Sequence, residues 1–152
     1  MKKLWDYVWT HSLQIGIGCT FAVFLGLIAL QLLPTRRVVA KNIITVTSSQ
    51  VFEAWEGVMP DNLVAAYREA TKPVLTYKAF PKEDDYLAGV LGWLDATEAF
   101  ATKEKLRAED DLRGLEAAKV TGVELEKAKQ RVYTQTRVLD SCAWGQARMA
   151  KL

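Results

Sequence analysis

Cysteine, histidine and, beyond residue 81, proline are scarce or missing in this chain of 152 residues. Its two cysteines are Cys19, inside a long apolar run, and Cys142, alone in the rest of the chain, so no intramolecular disulfide framework is available. With one histidine and neither a C-x-x-C nor an H-E-x-x-H motif, a zinc site of standard ligands is not indicated. We therefore expect no metal and no cofactor.

An excess of one charge sign is also lacking. Beyond Thr35 the chain carries 18 lysines and arginines against 17 aspartates and glutamates. A nucleic-acid-binding surface shows a clustered basic excess, so we expect no nucleic-acid partner. The acidic groups at residues 83–85 and 109–111 are consecutive carboxylates, which point in different directions on a helix, and no serine has a nucleophile-elbow setting. We expect neither an enzyme nor a small-molecule substrate.

A long apolar run is present near the N-terminus. Residues 13–33 contain no charged side chain, and at about 1.5 Å per residue a helix of this length reaches roughly 30 Å, the thickness of a bilayer core. The run is too long for a signal peptide, and Arg36 and Arg37 interrupt the approach to a possible cleavage site. These features predict that residues 1–35 are a tail and a single transmembrane anchor in a bacterial inner membrane, with the C-terminal part in the periplasm.

Two sets of side chains refine this predicted anchor. Gly18, Ala22 and Gly26 recur every four residues, which favours close pairing with another membrane helix, although glycine and alanine are also common in membrane helices generally. The aromatic residues that precede the run suit the lipid headgroup region: Trp5, Tyr7 and Trp9. The expected partners are the lipid bilayer and other membrane or envelope proteins in a hetero-oligomeric complex.

A small α+β segment is predicted for residues 36–82. The β-branched residues of segment 42–47 favour a strand, and Thr47 begins a capping box for a following helix. A second helix is expected to stop at Pro73, after which residues 74–80 are rich in strand-forming side chains. We expect the two strands to pair in a small sheet.

Residues 83–152 are predicted to form an antiparallel helical hairpin. They contain no proline and many helix formers, and Gly122 is the natural break between two long helices. The second helix carries residues at the alternating spacing of a coiled coil, which we call the hairpin seam: Leu125, Ala128, Val132, Leu139, Cys142 and Met149. The facing stripe is weak, so the hairpin packs either on its own domain or on another chain. The predicted fold class is mainly α.

The order of these elements, an N-terminal membrane helix followed by strand, helix, helix and strand, resembles the TrbI proteins of F-type conjugative transfer systems. The resemblance spans roughly residues 10–90 and rests on these segments: residues 42–46, 51–52, 66–67 and 73–77. It implies a small, non-enzymatic inner-membrane component of a type IV secretion apparatus, associated with extension of the conjugative pilus. The long helical segment after Tyr86 goes beyond the usual pattern of that family.

The sequence thus predicts a non-catalytic, single-pass component of a multiprotein envelope assembly, and the resemblance implies that this assembly is the conjugative secretion apparatus. One alternative is an accessory structural subunit of a membrane enzyme complex, with the hairpin bound to the soluble face of a catalytic subunit. Another is a phage-type envelope-spanning lysis protein, although the predicted strands and the break at Gly122 argue against one extended rod.

Overall fold

The computed structural model describes residues 35–76 and 79–152, and residues Arg36–Leu152 form one compact unit. This part of the chain contains no β-strand. Its four α-helices are α1 (Arg36–Trp55), α2 (Asp61–Thr76), α3 (Glu83–Ala117) and α4 (Val123–Met149).

The predicted α+β segment is wrong, because the described residues of both expected strands are helical. Residues 42–47 lie inside α1, and residues 74–76 form the last turn of α2. The buried positions of α1 recur every three or four residues, which is the helical period: Ala40, Ile43, Ile44, Thr47, Ser48, Val51, Ala54 and Trp55. Burial of this stripe against the other helices overrides the weak strand preference of β-branched residues.

Two residues that were expected to mark helix ends lie inside helices instead. Thr47 is fully buried in the middle of α1, and its hydroxyl has no hydrogen-bond partner among the described residues. Pro73 lies in α2, which continues to Thr76. Because Pro73 is close to the C-terminal end of α2, its missing N–H removes one hydrogen bond without ending the helix.

The end of α1 is a tight turn that requires glycine. The backbone amides of Val58 and Met59 both donate to the carbonyl oxygen of Trp55, at 3.1 and 3.0 Å. Gly57 adopts a φ of +71°, in the left-handed region that glycine enters without steric cost. This turn directs α2 back along α1.

Helices α3 and α4 form an antiparallel hairpin on either side of Gly122, where the sequence places the break. Near one end, the Gln146 side-chain amide donates to Asp95 at 2.9 Å and to Glu98 at 2.7 Å. Near the other end, Gly114 of α3 lies by the same pocket as Lys127 of α4. The two helices therefore stay side by side along most of their length.

Helix α1 lies antiparallel to α4 as well. The Trp55 indole Nε1 donates to the Gln135 Oε1 at 3.3 Å, at the end of α1. Further along, a Cβ atom on Gly145 would lie 3.0 Å from the Thr47 Oγ1, so the two helices approach closely there. Helix α2 contacts α1 and α3, which gives an up-down-up-down arrangement of four helices.

Aromatic rings fill the centre of this arrangement. The Trp55 ring packs edge-on against Tyr67 of α2 and Phe100 of α3, with centroid distances of 5.0 and 5.6 Å. The Trp93 Nε1 donates to the Thr71 hydroxyl at 2.9 Å. Both buried indole N–H groups therefore have acceptors, and the two contacts join α1 to α4 and α2 to α3.

The structure contradicts the predicted single-pass inner-membrane location. Among residues 35–76 and 79–152, no helix is both long and apolar enough to cross a membrane. The segment to which the anchor was assigned, residues 13–33, lies outside the described residues. Also outside them lie the predicted helix-pairing and membrane-interface residues: Gly18, Ala22, Gly26, Trp5, Tyr7 and Trp9.

Candidate functional site

The α3–α4 hairpin is longer than the helices that cover it. Helix α1 ends at Trp55, whose side chain contacts Phe100 of α3 and Gln135 of α4. Beyond this level α3 continues for roughly 24 Å, at about 1.5 Å per residue. We call the covered part of the hairpin, residues 83–101 and 134–149, the proximal half. The remainder, residues 102–133, is the distal half.

A pocket of about 390 Å³ lies where the α1–α2 turn meets the distal half. One wall is apolar and comes from the turn, α2 and α3: Val58, Met59, Pro60, Leu63, Phe100 and Ala108. The other wall carries polar and charged groups: Glu104, Arg107, Asp111, Arg131 and Gln135. An apolar cavity with a few polar groups is the usual form of a site that receives part of another molecule.

Gln135 is the buried polar group of this pocket, with an exposed fraction of 1%. Its Oε1 accepts from the Trp55 indole, whereas its Nε2 donates to the Met59 Sδ at 3.4 Å. A thioether sulfur is a weak acceptor. The amide is therefore held firmly through its oxygen and only weakly through its nitrogen.

Asp111 and Arg131 supply charge that is not used inside the fold. In the described part of the chain, neither side chain has an ion-pair partner within 4.0 Å. They lie on α3 and α4, and both line the pocket as well as a second, more open one of about 510 Å³ toward the hairpin tip. In contrast, Arg107 is paired with Glu104 at 2.5 Å. One acidic and one basic group are thus available to a binding partner.

The predicted hairpin seam is divided between the two halves of the hairpin. Three of its residues are buried: Ala128, Cys142 and Met149. The other three are half-buried: Leu125, Val132 and Leu139. The buried face of α4 also includes Thr134, Val138 and Gly145, which the sequence interpretation did not include. Only the alanine of the three buried seam residues belongs to the distal half.

Burial makes two titratable side chains of the core, Cys142 and Tyr67, poor acids. It raises the pKa of the Cys142 thiol to about 12, and the nearby Glu98 carboxylate adds to the rise. Burial also raises the pKa of Tyr67, although a hydrogen bond with Thr97 opposes this effect. Cys142 is therefore a protonated, apolar core residue at neutral pH and not a nucleophile.

The sequence patterns did not single out the pocket. Met59 comes from the α1–α2 turn and Phe100 from α3, and Arg131 lies between seam positions on α4. Only Gln135 gives a signal, because it is a polar residue at a seam spacing where an apolar residue is expected.

Within the described ranges, no three side chains among histidine, cysteine, aspartate and glutamate are grouped so that they could hold a metal ion. The pocket presents instead an apolar wall and separate charges on two helices. No protein-family model, curated protein or solved structure matches this chain.

Proposed function

We propose that this chain is a non-catalytic component of a multiprotein assembly, and that the distal half of its hairpin binds a helix of a partner protein. The observation that carries this proposal is the pocket at the base of the distal half. There an apolar wall, made partly by the α1–α2 turn, meets two unused charges at the edge of the surface that α1 and α2 leave open.

The shape of this surface supports a helical partner. In the proximal half, the inner face of the antiparallel hairpin is occupied by α1 and α2. The distal half continues the same inner face past the α1–α2 turn. A groove between two antiparallel helices accepts a third helix through interdigitating side chains. A partner helix placed end to end with α1 would point an apolar side chain at Met59 and Phe100.

The composition of the distal half supports the same interpretation. Its buried contacts between α3 and α4 come from Ala108 and Ala128, which have little apolar surface. Leu112 and Leu115 are only half-buried. A partner helix would remove this leucine surface from water and thereby stabilise the distal half.

Site-specific photo-crosslinking in cells tests the proposal. A photoreactive amino acid replaces Arg107, which lines the pocket, or Arg113, which lies on another side of α3. The two positions are matched, since each arginine forms an ion pair with the acidic residue three positions earlier. We expect the substitution at Arg107 to yield one reproducible adduct with a different protein, identified by mass spectrometry, and the substitution at Arg113 to yield none.

An Arg131→Glu change in the same chain removes one of the two unused charges without touching the photoreactive residue. It should lower the yield of the adduct at position 107 severalfold. Equal adduct yields at both positions, or an adduct at position 107 that Arg131→Glu leaves unchanged, would refute the proposal.

The role in conjugative secretion that the TrbI resemblance implies stays a prediction. The segments that this resemblance takes as strands, residues 42–46 and 73–77, are helical wherever the structure describes them. The identity of the crosslinked protein would show directly which assembly contains this chain.

A further inference from the structure

The outer face of α4 carries an exposed stripe that is complementary to itself. Tyr133 and Trp144 are 59% and 37% exposed, and Arg137 and Asp140 lie exposed between them. The spacing of four, three and four residues places all four side chains on one face of the helix. The buried face of α4, with Val138 and its neighbours, points instead toward the other helices. We call these four exposed residues the outer stripe.

The outer stripe has a centre of symmetry. The midpoint between Tyr133 and Trp144 and the midpoint between Arg137 and Asp140 are the same point on α4, between residues 138 and 139. When two copies of a helix pair antiparallel about a two-fold axis, residues equally far from the axis face each other. An axis at this point therefore places the tyrosine against the tryptophan and the arginine against the aspartate, twice each.

The ionic groups of the outer stripe are available for such pairing. In the described part of the chain, neither Arg137 nor Asp140 has an ion-pair partner within 4.0 Å. The unpaired arginine and aspartate on this exposed face complement a surface that presents the same two groups in the opposite order along the helix. A second copy of this chain presents that surface.

One like-charge pair occurs in this arrangement, between Lys129 and Arg148, and both charges are already engaged. Lys129 forms an ion pair with Glu126 at 2.9 Å. The Arg148 guanidinium lies 4.6 Å from the centre of the Trp144 ring of its own chain, in a cation–π contact. Their mutual repulsion is thereby reduced, and the aromatic and ionic pairs nearer the axis dominate.

We propose that two copies of this chain associate through the outer stripe, with their α4 helices antiparallel about an axis between residues 138 and 139. This surface lies apart from the pocket of the distal half, so a dimer leaves the pocket open to another protein. The dimer therefore displays two pockets, and it adds an oligomeric state to the proposed function without depending on it.

Sedimentation velocity of the full chain measures the dimerisation, in a mild detergent because residues 13–33 carry no charged side chain. Arg137→Asp and Asp140→Arg each turn two symmetry-related attractions into repulsions. Each should raise the dimer dissociation constant by at least about tenfold. Arg113→Asp, an equal charge change at an exposed site on α3, should leave it unchanged.

Mixing the two variants distinguishes a direct contact from a disturbed fold. A chain with aspartate at positions 137 and 140 faces a chain with arginine at both, so the mixture should form a heterodimer at least as stable as the wild-type dimer. The double variant Arg137→Asp/Asp140→Arg should also dimerise as the wild type does. A wild-type chain that stays monomeric, or a dimer that survives both single reversals, would overturn the proposal.

Discussion

The two halves of the α3–α4 hairpin are held together by different means. In the proximal half, Leu94 of α3 and Val138 and Cys142 of α4 are fully buried, and α1 covers them. In the distal half, the buried residues are Ala108 and Ala128, and ion pairs lie along α3. The same two helices thus pass from an apolar core to a thin alanine contact within one hairpin.

The difference in burial corresponds to a difference in local stability. Complete burial of a leucine or valine side chain contributes about 1.5–3 kcal/mol, whereas an exposed ion pair within one helix contributes about 0.3–0.5 kcal/mol. A segment with few buried apolar contacts opens at lower free energy than the core. We therefore expect the distal half to be the more easily opened part of the hairpin, which suits a surface that binds a partner.

The largest loss of stability is expected at Trp55, which lies on α1 and packs against the hairpin at the centre of the fold. Trp55→Ala removes a side chain that is 1% exposed and leaves the Gln135 oxygen without its donor, so it should lower the free energy of unfolding by roughly 4 kcal/mol. Leu106→Ala, at a 56% exposed position of the distal half, should lower it by less than about 1 kcal/mol. Urea unfolding followed by circular dichroism measures both, and similar losses would contradict the distinction between the halves.

Replacement of glycine by alanine should change the free energy of unfolding in opposite directions in the two halves. A Cβ at Gly145 would lie 2.9 Å from the Leu94 Cδ2 and 3.0 Å from the Thr47 Oγ1, so Gly145→Ala should destabilise the fold by about 1–2 kcal/mol. A Cβ at Gly114, in the distal half, would meet no atom of the described part of the chain within 4 Å. Gly114→Ala should therefore stabilise α3 by about 0.5–1 kcal/mol, because alanine favours the helix.

The measurement is the shift of the urea midpoint at constant slope for each variant. Loss of stability at both positions would show that the distal half is packed as closely as the proximal half. A gain at both would show that α1 and α4 can separate at Gly145 without cost.

A smaller gain is expected from Thr47→Val. The Thr47 hydroxyl is buried against α4 and has no hydrogen-bond partner in residues 35–76 and 79–152. Valine has nearly the same shape without the polar group. Removal of this unsatisfied group should raise the free energy of unfolding by about 1 kcal/mol. Thr47→Ser, which keeps the hydroxyl and loses the methyl group, is the control and should destabilise. A loss of stability in the valine variant would mean that the hydroxyl has an acceptor.

The reaction rate of a single buried cysteine in each half compares how readily the two halves of the hairpin open. In a Cys19→Ser background, Cys142 should react very slowly with iodoacetamide at neutral pH, because it is buried and its pKa is raised to about 12. Ala128→Cys, placed in a Cys19→Ser/Cys142→Ser background, should react faster, because the distal half opens more easily. Equal rates would indicate that the whole hairpin opens as one unit.

The raised pKa of Cys142 also predicts how the stability of the fold depends on pH. The unfolded thiol ionises near its ordinary value of 9.0, and the folded thiol only near 12. The folded state therefore holds a proton that the unfolded state releases between these values. The contribution of Cys142 to stability is complete below about pH 9 and is lost as the pH rises toward 12, and it should be absent in Cys142→Ala.

Sequence patterns predicted the two long helices and the break at Gly122 but not the helical nature of α1. The long helices lack proline and carry a consistent spacing of apolar side chains. In α1, Thr47 and Ser48 occupy buried positions, so they interrupted the apolar period and suggested a capping site. Their burial depends on the close approach of α4 at Gly145, and no local pattern could reveal that contact.

The candidate site was less accessible to sequence reasoning. Its pocket exists because α1 and α2 are shorter than the hairpin that they cover, and the strand assignment concealed their true lengths. Met59, Phe100 and Arg131 become neighbours only through the tertiary fold. The availability of the charged groups at Asp111 and Arg131 likewise follows from which ion pairs the folded helices form, and composition alone carries no such information.

The hydrogen bond between Trp55 and Gln135 joins residues that are 80 positions apart. During synthesis, α1 and α2 leave the ribosome well before α4 exists, so Trp55 lacks its Gln135 acceptor and Thr47 lacks the cover of α4 until the chain has passed Gly145. The slow step of folding should therefore be the return of α4 onto α1, since the closure of so long a loop must precede the contacts that reward it. A ribosome-bound chain that displays residues up to 120 should remain sensitive to protease within α1, and one that displays residues up to 149 should be protected.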